Sequence, residues 1–217
     1  MLERLVHRLM RLRGRGSHSH GHAASTEHDS HGDGRFAGAE AERYERQARS
    51  RVRSFRRTAR ELAALAPESG HVLDVGTGPG VLLLELLRER PNLRATGVDV
   101  EPAMVERARH AAAAAGLGDR LSFLESDVRS LPLEAGSVDL AAATMTAHHW
   151  PDLAAGVREL VRVVRPGGAL LLVDFRREID GPLRGALAEV APGARVERSR
   201  RWMWGMPVLA RWIVRLP

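Results

Sequence analysis

The stretch His71-Val72-Leu73-Asp74-Val75-Gly76-Thr77-Gly78-Pro79-Gly80, continuing into Val81-Leu82-Leu83-Leu84-Glu85-Leu86-Leu87, decides how this chain folds. An apolar run of strand length passes through three closely spaced glycines into an apolar segment of helical length. Glycine lets backbone approach a ligand closely and adopt the positive φ angles of a sharp strand-to-helix turn. Working outward, the alternation repeats after Pro67. Strands are predicted at His71–Val75, Ala95–Asp99, Leu121–Ser126, Val138–Ala143 and Ala169–Phe175, with helices at Gly80–Arg90, Pro102–Gly116 and Asp152–Val164. The last helix runs into Arg165-Pro166-Gly167-Gly168, read as a stop and a tight turn. Short apolar runs alternating with helices indicate a mostly parallel sheet covered on both faces, a doubly wound α/β fold of Rossmann-like type.

The 217 residues, 44% of them hydrophobic, suffice for one such core with a remainder too small for a second. Residues 1–39 form that remainder. Leu2, Leu5, Val6, Leu9 and Met10 share one helical face with arginines elsewhere, so residues 2–13 read as a short basic amphipathic helix. It either touches an anionic membrane from the side or docks on protein. Ser17 to Gly34 is rich in His, Ser and Gly and reads as a disordered linker. The folded domain is placed at 40–217, with a helical segment at 40–66 and a core at 67–217. Within the helical segment Tyr44, Ala48, Val52, Phe55, Ala59, Leu62 and Leu65 recur at spacings of three and four.

Charge and cysteine content narrow the function classes. The net charge is +6, yet residues 1–60 hold 14 Arg against 7 Asp and Glu, whereas residues 61–217 hold 19 against 20. Every basic residue is Arg, which with abundant Ala and Gly looks like coding bias; the charge argues little for a nucleic-acid partner. Without cysteine there are no disulfides, thiolate metal sites or cysteine nucleophiles. No run approaches the roughly 18 apolar residues of a membrane span, and no secretory stretch opens the chain, so a cytoplasmic location is expected.

The glycine turn gains meaning from its neighbours. Asp99 ends the second strand, about 20 residues on, where an acidic residue reaches ribose hydroxyls. The spacing is Gly-x-Gly-x-Gly and not the dinucleotide Gly-x-Gly-x-x-Gly, and Asp74 precedes it by two residues. A carboxylate there repels a pyrophosphate and suits a cationic amine, such as the α-amino group of a methionine moiety. No Gly-Lys-Ser/Thr follows, so a phosphate-cradling loop is also excluded.

These features resemble the class I S-adenosylmethionine-dependent methyltransferases, in particular the small-molecule and quinone methyltransferases, over roughly Gly70 to Arg176. The resemblance implies that Asp74, Gly76, Thr77, Gly78 and Gly80 hold the methionine part of S-adenosyl-L-methionine. Asp99 would chelate the ribose hydroxyls, Val100 pack beside the adenine, and Ser126-Asp127-Val128 hold the ring with Asp127 accepting from its amine. Val138-Asp139-Leu140 and Ala143-Thr144-Met145 match the fourth-strand motif, whose exit lines the methyl-transfer site. Leu160 to Gly168 matches the helix and turn before the fifth strand. Beyond Phe175 the family closes its sheet with a helix and an antiparallel hairpin, for which Pro182–Val190, Ala194–Trp202 and Pro207–Arg215 are the candidates.

The implied function is methyl transfer to a small or lipophilic acceptor, with 40–66 as a lid over the cofactor and Tyr44 reaching its methionine end. Each site residue has a competing structural role. Asp74 and Asp99 suit caps, although their joint spacing favours the ligand, and Ser126-Asp127 suits an ordinary turn. His148, in His148-His149-Trp150, is the candidate base, with packing or helix capping as the alternative. In-line displacement on a sulfonium can proceed by positioning alone. His18, His20, His22, His28 and His31 have no spacing that defines a metal geometry, so no metal is assigned. Trp202 and Trp204 suit a hairpin, an acceptor pocket or a membrane contact. Two other functions stand beside this one: RNA methylation using the Arg-rich Arg43–Arg60, and cofactor binding without turnover. Amino methylation of a nucleobase is disfavoured, since the fourth strand lacks Asn/Asp-Pro-Pro-Tyr/Phe.

Overall fold

The computed structural model describes residues 52–203 and 206–217, all within the unit Phe36–Pro217. The expected N-terminal helix, the His-rich linker and Tyr44 therefore lie outside the described residues. In chain order the elements are α1 (Val52–Leu65), β1 (Gly70–Val75), α2 (Val81–Glu89), β2 (Leu93–Asp99), α3 (Pro102–Ala114), β3 (Leu121–Glu125) and β4 (Val138–Thr144). A 3-10 turn at Ala147–His149 leads to α4 (Leu153–Val163), β5 (Val164–Phe175), α5 (Arg176–Val190), β6 (Arg195–Met203) and β7 (Met206–Arg215).

The seven strands form one sheet in the order β3-β2-β1-β4-β5-β7-β6. The first five are parallel, whereas β7 runs antiparallel to both β5 and β6. Strands alternate their side chains between the two faces. Val72, Leu140 and Leu171 join the core beneath α1, α2 and α3, while Leu73, Ala141, Leu170 and Trp212 join the core beneath α4 and α5. Burial on both faces is why these strands read as nearly continuous apolar runs.

Local chemistry sets most boundaries. Asp152 caps α4, its side chain accepting from the Ala155 N–H at 2.9 Å. Pro102 stands in the first turn of α3, where its missing N–H costs nothing.

Two boundaries differ from expectation. Arg165 to Gly168 is no free turn: β5 begins at Val164, paired with Val138, and the register then shifts to Leu140 opposite Ala169. The four residues bulge, Gly167 has φ 74°, and the chain's end satisfies them through Gly167 N–H to Pro217 O at 3.0 Å and Leu216 N–H to Gly168 O at 2.9 Å. The helix expected from Pro182 begins instead at Arg176 and carries Pro182 inside it. Burial of Ile179 and Leu183 on the sheet outweighs the proline's preference for a helix start.

The described part of the expected lid is residues 52–65. Ala59 and Leu62 of α1 are fully buried, and the helix lies along α2 with Arg56 on Glu85 at 2.8 Å and Arg60 on Glu89 at 3.4 Å. Residues 52–65 thus form a packing helix of the core. No helix among the described residues is long and apolar enough to cross a membrane.

Candidate cofactor and acceptor site

The chain builds β1, β2 and β3 in one direction across the sheet and then returns to place β4 on the other side of β1. The C-terminal ends of β1 and β4 therefore flank a topological switch point, where α/β sheets open a crevice for ligands. The glycine turn lies there. Gly76 N–H and Thr77 N–H both donate to Val98 O, at 2.8 and 3.0 Å, binding the turn to β2. Gly76 has φ 67°, and a Cβ on it would stand 2.0 Å from Thr146 Oγ1; Gly80 has φ 76°, and its Cβ would stand 2.7 Å from Phe123 Cζ. Only glycine meets both demands. Helix α2 starts at this turn with no side-chain cap, so its first N–H groups and positive dipole end suit an anion.

Asp74, at 2% exposure, is buried beneath the turn, and its Oδ1 has no hydrogen-bond partner among the described residues, nor has Thr77 Oγ1. Burial raises the Asp74 pKa to about 7; the Thr77 hydroxyl beside it offsets part of the rise and the nearby Asp99 carboxylate adds to it. An unpartnered buried carboxylate calls for a donor, ideally a cation.

Asp99 is anchored by backbone: Oδ2 accepts from Gly78 N–H at 2.8 Å and Oδ1 from Glu101 N–H at 3.1 Å. Burial still pushes its pKa upward. Each oxygen keeps a further lone pair, the arrangement a vicinal diol needs. Val100 beside it is 56% exposed, an apolar surface open to a flat ring.

The remaining expected contacts stand differently. Asp127 accepts from Arg129 N–H at 2.8 Å, Nε at 3.0 Å and Nη2 at 2.7 Å, and the Arg129 guanidinium holds its carboxyl below the usual carboxylate value. An adenine amine would have to share this carboxylate. Val128 and Ala143 turn their side chains into the core, Ala143 opposite Val75 and Leu172. The rim beyond β4 is formed instead by Thr144, Met145 and Thr146. Met145 has φ 58°, the left-handed region that non-glycine residues rarely enter, and such strain gathers at functional sites. Its N–H donates to Val173 O at 2.8 Å, tying the rim to β5.

His148 follows on the 3-10 turn, and its ring meets a carboxylate that the sequence alone does not single out. His148 Nδ1 lies 2.6 Å from Asp174 Oδ1, and His148 N–H donates to Asp174 Oδ2 at 3.3 Å. Phe175 N–H donates to Asp174 Oδ1 at 2.7 Å, and the Phe175 ring stands edge-on to the imidazole at 4.9 Å. Both polar side chains are buried. With Asp174 accepting, Nδ1 carries the proton and Nε2 is the basic nitrogen. The signal available in the sequence was the lone acid in Leu170-Leu171-Leu172-Val173-Asp174-Phe175, at the end of an otherwise apolar strand.

Comparison with known proteins agrees with this geometry. The profile of a methyltransferase domain matches residues 72–168. The malonyl-[acyl-carrier protein] O-methyltransferase of Halorhodospira halophila is 34% identical over 160 residues, covering 74% of this chain and 53% of that protein. The demethylmenaquinone methyltransferase of Deinococcus radiodurans is 37% identical over 123 residues, covering 57% and 50%. The chain thus spans about half the length of these curated relatives. Among solved structures, a Methanococcus maripaludis protein assigned as an S-adenosyl-L-methionine-dependent methyltransferase superposes with TM-score 0.71 at 19% identity, covering 90% of this chain and 97% of that one.

Residues 72–168 match a methyltransferase domain, and the chain resembles the class I S-adenosylmethionine-dependent methyltransferases.

The family's cofactor, S-adenosyl-L-methionine, fits the residues present in this chain. Its ammonium would answer Asp74 Oδ1, and its ribose diol would suit the anchored Asp99. A separate open cavity of about 360 Å³, lined by residues including His71, Thr96 and Ser122, lies at the opposite, N-terminal edge of β1 to β3. Among the described residues no group of three or more His, Asp or Glu is placed to hold a metal; the His-rich tract lies outside them.

Proposed function

We propose that the protein transfers a methyl group from S-adenosyl-L-methionine to a small or lipophilic acceptor in the cytoplasm, with His148 as the base. The observation that carries cofactor use is Asp74, a buried carboxylate beside the Thr77 hydroxyl that meets no charged donor among the described residues and whose Oδ1 makes no hydrogen bond. Asp74, Gly76, Thr77, Gly78 and Gly80 hold the methionine part, Asp99 the ribose, and Val100 with the Asp127-Val128 loop the adenine. When bound, the cofactor supplies an electrophilic methyl on a sulfonium, reactive without metal or redox help. The protein's task is to align the acceptor and take up its proton. His148 serves that end through Nε2, and Asp174 is its positioning residue, fixing the tautomer and favouring the imidazolium once it forms. The rim of Thr144, Met145 and Thr146 separates the cofactor turn from this pair and sets the approach between the two reactants.

The relatives' acceptors, demethylmenaquinone in one and malonyl groups on a carrier protein in another by their names, support an acceptor outside the nucleic acids. The basic side chains of α1 agree: Arg56 pairs with Glu85, Arg57 with Glu61 and Arg60 with Glu89, which interrupts any stripe of charge for an RNA backbone. The amphipathic sequence of residues 2–13 supports a place for them at an anionic membrane surface.

Calorimetry with S-adenosylmethionine and S-adenosylhomocysteine, on wild type, Asp74→Ala and Asp99→Ala, tests the cofactor half. Saturable binding weakened by either substitution supports it, and a folded wild type that binds neither overturns the methyltransferase reading. An acceptor screen with labelled methyl donor then follows, and turnover that survives His148→Ala undiminished would remove the base.

A further inference from the structure

The edge strand β6 runs in the same direction as β5, since both are antiparallel to β7. Phe175, Leu209 and Arg201 lie in one row across the three strands, and Asp174, Ala210 and Arg200 in the row before it. The C-terminal end of β6 thus emerges at the same sheet edge as the His148–Asp174 pair, two ladder spacings or about 10 Å to its side. Met203 pairs with Met206 beyond those rows, so the hairpin extends past the edge on the side of the pair. On this hairpin Trp202 is 68% exposed, whereas Trp212 on the neighbouring strand is fully buried.

Positive charge surrounds this indole. Arg200 is exposed beside it, and Arg201 beneath is buried and paired with Glu61 of α1. Glu61 also faces Arg57 at 3.5 Å and Arg211 at 3.7 Å, so one carboxylate answers three guanidinium groups. Helix α1 lies parallel to α2, with Arg56 on Glu85 and Arg60 on Glu89. Its first residues, exposed Arg53 among them, therefore lie at the end where the glycine turn starts α2. Arg176 and Arg177 open α5 directly after Phe175, with exposed Glu178 the carboxylate among them. The opposite end of the sheet edge, beyond β2 and β3, carries instead Glu101, Glu125 and the Asp127–Arg129 pair.

We infer that the β6 end of this edge docks on an anionic lipid surface, with the Trp202 indole among the headgroups and the exposed Arg53 and Arg200 against lipid phosphates. An indole flanked by arginines is the combination that settles at a membrane interface, apolar ring inward and cations on the phosphates. Docking in this pose sets the edge that holds the His148–Asp174 pair against the bilayer, so an acceptor dissolved in lipid reaches His148 without crossing water. That last step rests on the proposed methyl transfer; the docking itself does not.

The test is flotation of the full-length protein with vesicles of phosphatidylcholine alone and of phosphatidylcholine mixed with phosphatidylglycerol. Binding to the mixed vesicles is expected, weakened by about tenfold or more in Trp202→Glu and by a smaller factor in Arg200→Glu. Leu5→Glu, which spoils the apolar face of residues 2–13, is expected to retain the Trp202-dependent part. S-adenosylmethionine affinity measured on Trp202→Glu should match wild type, which shows the variant folded and keeps loss of docking distinguishable from loss of cofactor binding. Absence of wild-type binding to mixed vesicles overturns the inference. So does Trp202→Glu binding as wild type, loss confined to Leu5→Glu, or retention on RNA or an acidic carrier protein without vesicle binding.

Discussion

The two halves of one sheet edge are built on different terms. At β1 and β2 the cofactor residues lie within a short span of sequence, and backbone does much of the work: Asp99 takes its bonds from the N–H groups of Gly78 and Glu101. At β4, β5 and β6 the pairings join side chains brought from afar, His148 to Asp174 and Glu61 of α1 to Arg201, the latter pair 140 residues apart. A turn that must adopt left-handed φ and accept a ligand against its backbone admits few residues and leaves a local signature. A pair joined across the sheet leaves none.

Substitution at Gly76 should break the cofactor half hardest. Gly76→Ala forces a Cβ into Thr146 and keeps a left-handed φ, a backbone cost of about 1–3 kcal/mol before the clash is counted. Calorimetry should find S-adenosylmethionine binding lost, and thermal melting a less stable fold. Cofactor affinity retained within a few-fold would show that the turn tolerates a side chain.

The next largest effect separates the halves. His148→Ala should reduce turnover by roughly 10²- to 10⁴-fold while leaving S-adenosylmethionine affinity unchanged, whereas Asp99→Ala should weaken cofactor binding with His148 intact. Should both variants fail in both assays, the edge is one cooperative unit and the contrast between its halves disappears.

Asp174→Asn should cost less, roughly tenfold to a hundredfold in kcat, with cofactor affinity unmoved. Its specific mark is the split between kcat and KM: a positioning residue lowers kcat with KM nearly unchanged. A rate that stays at the wild-type value, with only the melting temperature lowered, would make Asp174 a packing residue.

The smallest effect concerns Asp74 and pH. Its pKa, raised to about 7 by burial, means the folded protein holds a proton there that the unfolded chain releases nearer pH 4. Stability of the cofactor-free protein from this group is therefore greatest in acid and declines as pH rises through 7. Cofactor binding has the opposite sign, because the ammonium requires the carboxylate. Affinity should fall by up to about tenfold per unit below pH 7, with proton release detected by calorimetry in buffers of different ionisation enthalpy. A flat affinity between pH 5.5 and 8 would show that Asp74 does not meet the cation.

The sequence by itself determined the α/β alternation, the position of the glycine turn and the cofactor class, because each rests on constraints within one turn or one strand-to-helix unit. The C-terminal hairpin was expected only from the family resemblance, and its pairing to β5 through β7 comes from the sheet. Only the tertiary structure decided that Ala143 and Val128 face the core, that Asp127 is engaged by Arg129 and that α1 packs along α2. The same holds for Asp174 beneath His148 and for Trp202 exposed on the hairpin. Which face a strand residue occupies, and which distant carboxylate a histidine meets, follows from register and crossover across the sheet. Those are properties of the whole packed fold, and no segment carries them alone.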